Sequence, residues 1–293
     1  MKAPVTVVTS FGLARTPAQV GMLEVLTERA VTPDAVVGSS LGAVNAAGLA
    51  AGCHPAQLRE FWQWLLAEVM ASPVRTLAKG LSARQSRKQV EMVRERVAGM
   101  LPERFDQLAI PLRLVATDLE TGDAVLLDSC DLVQAVMASC ALPGLLPPVD
   151  VDGAHLIDGG LVAGMPLWAV PDETRTVIVL DTGHAAMSVD AVAAYRWWEV
   201  AALSYAHQIR EQAVNALLVA AAKTPVVMVS TDYGRMLDVA DPLGCVQAGR
   251  DAAERQLAAV PNRLRRGVYN LPPGLAEYAP LAALTVNPGH RPP

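Results

Sequence analysis

A serine set between two glycines is the strongest chemical signal in the sequence. Residues 38–42 read Gly-Ser-Ser-Leu-Gly; the run before them predicts a strand, and the small residues after Leu41 predict a helix. A sharp strand-to-helix turn of this kind is the setting of a nucleophile elbow, which would expose Ser40. Gly38 and Gly42 would let the strand and the helix approach closely, and the helix N-terminus would place free N–H groups beside the serine oxygen. The alternative is a glycine-rich turn that packs small residues or binds phosphate.

A serine hydroxyl is a poor nucleophile without a base, and the clearest carboxylate candidate is Asp158. Residues 155–160 read His-Leu-Ile-Asp-Gly-Gly, which predicts a strand that delivers Asp158 to a turn. Gly159 and Gly160 would allow a close backbone approach, so that the carboxylate can meet another loop. An ordinary Asp-Gly hairpin turn is the alternative interpretation.

A Ser–His–Asp triad would instead need a histidine near Ser40. The best candidate is His184, because it follows the predicted strand at residues 176–181. An ordinary turn after that strand explains the same residues. Of the other histidines, His290 lies in the tail and His207 in a predicted helix. His54 follows the predicted helix after the elbow, and His155 lies in a predicted strand.

Four segments in the same order resemble the bacterial patatin-like phospholipases, a family of lipid acyl hydrolases with a Ser–Asp dyad. They are residues 38–42, 116–122, 138–143 and 158–160, and together the resemblance covers residues 1 to about 260. The resemblance implies a three-layer α/β/α fold with a mostly parallel central sheet. It also implies that Ser40 is the nucleophile, that Asp158 is the general base and acid, and that neither a metal ion nor an organic cofactor is needed.

The loop after the first strand departs from the family pattern. The family has three glycines, a spacer, a basic residue and another glycine, whose backbone N–H groups form an oxyanion hole. The resemblance implies that Gly12 and Leu13 supply these donors here and that Arg15 is the basic residue; the Leu41 N–H is a further candidate donor. Three glycines of the pattern are replaced, by Phe11, Leu13 and Thr16. Gly164 also stands where the family often has an asparagine before the proline.

These departures leave three functions open. The chain is a working ester hydrolase with an altered loop, a specialised acyltransferase or esterase, or a non-catalytic acyl- or partner-binding protein that keeps the fold. Losing one oxyanion donor typically costs about 2.7–4 kcal/mol of transition-state stabilisation. Whether the loop supplies these donors therefore decides among the three functions.

Predicted strands alternate with predicted helices, which favours a mostly parallel sheet covered on both faces. Strands are predicted at residues 5–9, 35–38, 112–117, 124–127, 155–158, 176–181 and 225–230, and helices at 17–30, 41–51 and 246–260. We expect one domain over residues 1–293, with a helical insertion at about 58–101. Prolines and glycines predict an irregular tail at about 270–293.

The composition excludes several classes of protein. Of 293 residues, 52% are hydrophobic and 18% are charged, which argues against disorder, and the net charge of −5 argues against nucleic-acid binding. The longest apolar stretch, residues 213–229, contains Asn215, Lys223 and Pro225 and predicts a buried helix followed by a strand rather than a membrane span. With no signal-peptide pattern and four cysteines that fit no metal spacing, we expect a cytoplasmic protein.

Two surface features have competing interpretations. Trp62 and Trp64, like Trp197 and Trp198, either pack between helices or form the wall or lid of an acyl pocket. The basic stretch at residues 75–96 is either a solvated helix face or a contact with anionic lipid headgroups. The expected partner is a lipid or other ester substrate, and peripheral membrane contact and the oligomeric state stay open.

Overall fold

The structure, a computed structural model, describes residues 4–70, 83–144, 146–182, 197–231, 233 and 241–286. Its described strands form one sheet of nine, in the order β5-β6-β3-β2-β1-β7-β8-β9, with β4 also paired to β3. They are β1 Val5–Thr9, β2 Ala35–Ser39, β3 Leu112–Asp118, β4 Ala124–Leu127, β5 Val149–Val151, β6 Ala154–Asp158, β7 Thr176–Asp181, β8 Pro225–Ser230 and β9 Gly267–Tyr269. The run from β3 to β9 is parallel, and β4, β5 and β6 are antiparallel additions at one edge.

Helices cover both faces of this sheet, which confirms the predicted three-layer α/β class. They are α1 Ala18–Glu28, α2 Gly42–Ala50, α3 Pro55–Trp64 (continued by a π-helical turn, Leu65–Met70), α4 Ala83–Ala98, α5 Leu132–Ser139, α6 Gly160–Ala163, α7 Trp197–Lys223, α8 Pro242–Ala258, α9 Pro273–Ala276 and α10 Ala279–Leu284. Helices α1 to α5 and α8 pack on one face of the sheet, and helices α6, α7, α9 and α10 on the other.

The central strands are apolar on both sides because both faces are covered. In β1, Val7 belongs to the core of the first face and Val8 to the core of the second. Val36 and Val37 of β2 divide in the same way. The strands predicted from β-branched runs are confirmed, each to within one residue at either end.

The prediction of an irregular C-terminal tail is wrong for residues 270–286. Helices α9 and α10 lie there, and Leu275 and Leu281 are fully buried against the second face of the sheet. The prolines that suggested irregularity stand in the first turn of each helix, where a missing N–H costs nothing. The last helix of the first face, α8, likewise begins at Pro242, capped by Asp241, four residues before the predicted start.

The segment predicted as a helical insertion contains only helices among its described residues, and residues 71–82 lie outside them. It starts slightly earlier than predicted, because His54 caps α3 and Pro55 opens it. At residues 213–229, α7 ends at Lys223 and β8 begins at Pro225, as predicted. Within the described ranges, no helix is both long enough and apolar enough to cross a bilayer.

Candidate active site

Strand β3 brings Ser40 and Asp158 together although 118 residues separate them. In the parallel pair of β2 and β3, Ser39 lies opposite Val115. In the antiparallel pair of β6 and β3, Asp158 lies opposite the next residue, Ala116. The end of β2 and the end of β6 therefore meet at the same point of β3. The serine and the carboxylate are placed there by sheet register rather than by loop flexibility.

The turn around Ser40 has the geometry of a nucleophile elbow. Gly38 is the penultimate residue of β2, Ser40 has φ of +56°, and α2 begins at Gly42. A positive φ is strained for a residue other than glycine, and such strain concentrates at functional sites. A Cβ on Gly42 would collide with the Ser10 carbonyl oxygen and lie 2.9 Å from that of Thr9, so glycine is required for this close approach.

The Ser40 hydroxyl donates a hydrogen bond of 2.8 Å to Asp158 Oδ2, and both residues are 1% exposed. The Gly160 N–H donates to Asp158 Oδ1 at 2.7 Å, and the Gly159 N–H donates to the Ser139 carbonyl at 3.1 Å. Burial raises the pKa of Asp158 to about 7, against the lowering effect of the bonds from Ser40 and Gly160. A carboxyl group with this pKa can accept and return a proton near neutral pH.

Residues 139–141 hold both members of the pair, a role that the sequence patterns did not predict. The Ser139 hydroxyl donates to the Val115 carbonyl at 2.7 Å and accepts from the Ser40 N–H at 3.0 Å. The Cys140 thiol donates to the Ser40 carbonyl at 3.1 Å, and the Asp158 N–H donates to the Ala141 carbonyl at 3.0 Å. A signal is present in the sequence, since this stretch is one of the four resembling segments, but the sequence alone attaches no contact to it.

The 10–16 loop lies beside the elbow. Gly160 separates Phe11 from Ser40, since a Cβ on Gly160 would lie 3.3 Å from Ser40 Cβ and 3.4 Å from Phe11 Cβ. Within the described part of the chain, neither the Gly12 N–H nor the Leu13 N–H has a hydrogen-bond acceptor. The N–H of Leu41, the N-cap residue of the elbow helix α2, also has no acceptor there. The Gly12 and Leu13 N–H groups therefore have no acceptor among the described residues.

Of the three replaced glycines, only Leu13 has a left-handed backbone, with φ of +47°. Thr16 has φ of −55°, which any residue adopts, and its hydroxyl donates to the Leu13 carbonyl at 2.8 Å. Phe11 has no positive φ. Gly12 is needed for steric reasons, because a Cβ there would overlap the Thr182 hydroxyl. Among the three replaced glycines, the loop thus has one residue with a strained backbone, Leu13.

The new side chains anchor the loop to α7. Phe11, Leu13 and Ile209 are buried together, and Leu142 and Tyr205 pack against them. A Cβ on Gly164 would overlap Ile209 and lie 3.1 Å from the Phe11 ring, so the family's asparagine would not fit here. Phe11, Leu13 and Gly164, three of the departures from the family pattern, therefore all pack around Ile209 of α7.

A buried polar network fixes the other side of the loop. The Gln19 amide donates to the Ser10 and Leu180 carbonyls. Asn45, in the elbow helix, donates to the Thr16 carbonyl and to the Gln19 side chain, and accepts from the Trp62 indole N–H at 2.8 Å. This network ties the elbow helix to both ends of the loop.

Arg15 lies on the α8 side of the loop and is 5% exposed. Its carbonyl accepts a hydrogen bond from the Cys245 thiol, and its charge acts to lower the pKa of that thiol, which burial raises to about 11. The contacts of Arg15 with Cys245 indicate a role in holding the loop against α8.

An apolar cavity reaches Asp158. Helices α2 to α5 supply most of the wall, and Leu13 and Leu142 line it near the loop. Within the helical segment, the wall residues are Phe61, Leu65, Val69, Gln89, Val93 and Val97. An apolar pocket beside a nucleophile is suited to an acyl chain.

The two tryptophans of the helical segment do not line this cavity. Trp62 is fully buried and donates to Asn45, whereas Trp64 packs on Phe61 and under the Arg96 guanidinium. On this side the cavity wall is formed by Phe61 of α3 and by Leu65 and Val69 of the π-helical turn that continues it. The side chains of Trp197 and Trp198 lie outside the described structure, as does most of the basic stretch; Arg94 is exposed and lies 3.8 Å from Glu91.

The described histidines do not approach Ser40. His54 caps α3, His155 is exposed 3.6 Å from Glu120, and His207 is exposed on α7. His184 and His290 lie outside the described residues, so the structure does not test the alternative of a triad with His184. In the described ranges, no group of three or more histidine, cysteine or acidic side chains is arranged to hold a metal ion.

The elbow, the Asp-Gly-Gly turn and the sheet between them correspond to a known family. The family model of the patatin-like phospholipases matches residues 8–171, more than half of the chain. The chain therefore belongs to the patatin-like phospholipase family.

Curated relatives share this region. An uncharacterized NTE family protein of Mycobacterium tuberculosis is 36% identical over 159 residues, which cover 53% of this chain and 42% of the relative. Patatin-like phospholipase domain-containing protein 7 of Rattus norvegicus is 29% identical over 184 residues, 61% of this chain and 14% of that protein. The matches thus span less than half the length of these relatives.

Solved structures of similar fold include VipD from Legionella pneumophila, with a TM-score of 0.45 and 14% identity over 88% of this chain and 67% of that one. The type III effector protein ExoU gives a TM-score of 0.41 and 16% identity over 87% of this chain and 53% of that one.

Proposed function

We propose that the protein hydrolyses carboxylic esters with an apolar acyl chain, such as lipid esters, through an acyl-Ser40 intermediate. The observation that carries the proposal is the 2.8 Å hydrogen bond from Ser40 to Asp158, buried where the apolar cavity reaches the carboxylate. Membership of the patatin-like phospholipase family supports the same substrate class.

Asp158 serves as both base and acid. Its carboxylate takes the hydroxyl proton as Ser40 Oγ bonds to the ester carbonyl carbon, and the negative charge moves to the carbonyl oxygen. When this intermediate collapses, the bond to the alcohol oxygen breaks and Asp158 gives that oxygen the proton. Water then attacks acyl-Ser40 and passes its proton to Asp158. The second collapse releases the carboxylic acid and returns the proton to Ser40.

The N–H groups of Gly12 and Leu13 are the proposed donors to the carbonyl oxygen, with the positive end of α2 adding favourable potential. This assignment depends on their free N–H groups and on the position of the loop beside Ser40. Gly38, Gly42, Gly159 and Gly160 support the two turns, and Arg15 holds the far side of the loop.

The test is labelling by a fluorophosphonate, together with turnover of p-nitrophenyl esters of increasing chain length. Ser40→Ala should abolish both, and Asp158→Asn should lower turnover by at least about 1,000-fold. Ser39→Ala is the matched control: Ser39 is the adjacent, fully buried serine, and its hydroxyl has no partner in the described structure. It should label normally.

The pH profile tests the base. Because Asp158 must be ionised to accept the proton and its pKa is about 7, kcat/KM should rise with pH up to about 7 and then level off. His184→Ala should leave the profile unchanged. A large loss of activity in His184→Ala would favour the triad instead, and a folded wild type that neither labels nor turns over would favour a non-catalytic acyl-binding protein.

A further inference from the structure

Among the described tyrosines, Tyr205 differs from the others in the hydrogen bonding of its hydroxyl. Its oxygen is buried and has no hydrogen-bond partner in the described part of the chain. By contrast, the hydroxyls of Tyr233, Tyr269 and Tyr278 bond to Asp241, Arg265 and Glu211. A buried hydroxyl without a partner costs free energy, so its persistence calls for a group that it binds during function.

Tyr205 lies on the loop side of the catalytic pair. Its ring packs against the cluster of Phe11, Leu13 and Ile209, as Leu142 does, and Leu13 and Leu142 also line the cavity that reaches Asp158. Because the hydroxyl has no partner in the described structure, it is available to an acceptor that arrives with the substrate.

We propose that the Tyr205 hydroxyl donates a hydrogen bond to the ester carbonyl oxygen and to the oxyanion that forms from it. It would complete an oxyanion hole whose other donors are the Gly12 and Leu13 N–H groups. This inference depends on the proposed function, since it needs Ser40 to attack a carbonyl group. It also relates Tyr205 to two of the replaced glycines, because Phe11 and Leu13 belong to the cluster against which Tyr205 packs.

The chemistry of the hydroxyl suits this role. Burial, and next the negative charge of Asp158, raise the pKa of Tyr205 above its usual value. The phenol therefore stays protonated throughout the working pH range and acts as a donor.

The experiment compares Tyr205→Phe with the wild type in steady-state turnover and in the rate of fluorophosphonate labelling. The variant keeps the ring and its packing, and thermal melting checks that the fold is retained. We expect kcat to fall about 100-fold with little change in KM, because the bond strengthens as charge develops. Labelling should slow in proportion, since the phosphonyl oxygen takes the place of the oxyanion.

The matched control is Tyr278→Phe, which removes a hydroxyl bonded to Glu211 of the same helix α7 but outside the site. It should label and turn over like the wild type.

Each other outcome overturns the inference in a recognisable way. A raised KM with unchanged kcat would mean that Tyr205 binds the alcohol part of the substrate. Normal labelling with slow turnover would mean that it orients the hydrolytic water. Unchanged kinetics in a Ser40-dependent enzyme would refute the role of Tyr205 alone, whereas a wild type without Ser40-dependent labelling would refute the proposed function along with it.

Discussion

The elbow at residues 38–42 and the 10–16 loop lie side by side, but different forces hold them. The elbow and its partner Asp158 keep the glycines of the family, and backbone is packed against backbone, as at Gly42 and Ser10. In the loop, glycines have given way to Phe11 and Leu13, whose side chains pack against α7. The elbow depends on the absence of side chains, and the loop depends on their presence.

The two regions also differ in what they contribute to stability. The elbow region contains a strained serine and a buried carboxylate, and both oppose folding. The loop contains one strained residue, Leu13, whose burial offsets the strain. The Ser40–Asp158 pair therefore opposes folding, whereas the loop beside it stabilises the fold.

The largest effect on stability is expected for Asp158→Asn. The folded-state pKa of about 7 lies above the unfolded value of 3.8, so the folded protein binds the proton more tightly. The stability of the wild type therefore falls as pH rises from about 4 to about 7, in total by about 4 kcal/mol. Asparagine carries no charge and lacks this dependence. The unfolding free energy of the variant relative to that of the wild type should therefore rise by about 3 kcal/mol from pH 5 to pH 8.

Urea unfolding of both proteins at the two pH values measures this gain, because titrations elsewhere cancel in the difference. If the variant and the wild type differ in unfolding free energy by the same amount at pH 5 and at pH 8, the carboxyl of Asp158 has an ordinary pKa. The strained backbone of Ser40 would then be the only feature of the elbow region that opposes folding.

Gly42→Ala tests whether the elbow depends on backbone contact. The added methyl group would collide with the Ser10 carbonyl, which the Gln19 amide holds in place. We expect a loss of about 3 kcal/mol in unfolding free energy, and lower kcat because the loop is pushed away from Ser40. The control is Gly48→Ala in the same helix, where the methyl group meets only the flexible end of Leu58. If both variants lose the same stability, close backbone approach is not what holds the elbow.

The elbow region can be predicted from the sequence better than the loop can, for a physical reason. The elbow and the Asp-Gly-Gly turn are local patterns whose glycines stand in the chain next to the residues they serve. The sequence therefore singles out Ser40 and Asp158 as candidates, and the resemblance to the family implies that they form a pair. The partners of the loop lie far along the chain: Ile209 and Tyr205 come almost 200 residues after Phe11. No local pattern connects them, so the sequence shows the replaced glycines only as departures from the family pattern.

The same limit explains the errors in the fold. Strands buried on both faces are recognisable as β-branched runs, and those predictions are confirmed. The helices after Tyr269 are short and begin with prolines, and only their packing on the second face shows why Leu275 and Leu281 must be ordered. That packing depends on α7 and β8, which the sequence around Leu275 does not reveal.

Leu13→Gly gives the smallest of the three effects and the sharpest test of the loop. If the loop only lacked a family glycine, restoring it would relieve the φ of +47° and stabilise the protein by about 1 kcal/mol. Because Leu13 is 5% exposed and packs with Phe11 and Ile209, we expect its lost burial to outweigh this relief. The predicted result is a net loss of about 2 kcal/mol in unfolding free energy. Thr16→Gly, at a position with ordinary φ, is the control and should lose about 1 kcal/mol. A gain in stability for Leu13→Gly would mean that the loop, like the elbow, is a glycine-dependent structure, and the contrast between the two regions would fail.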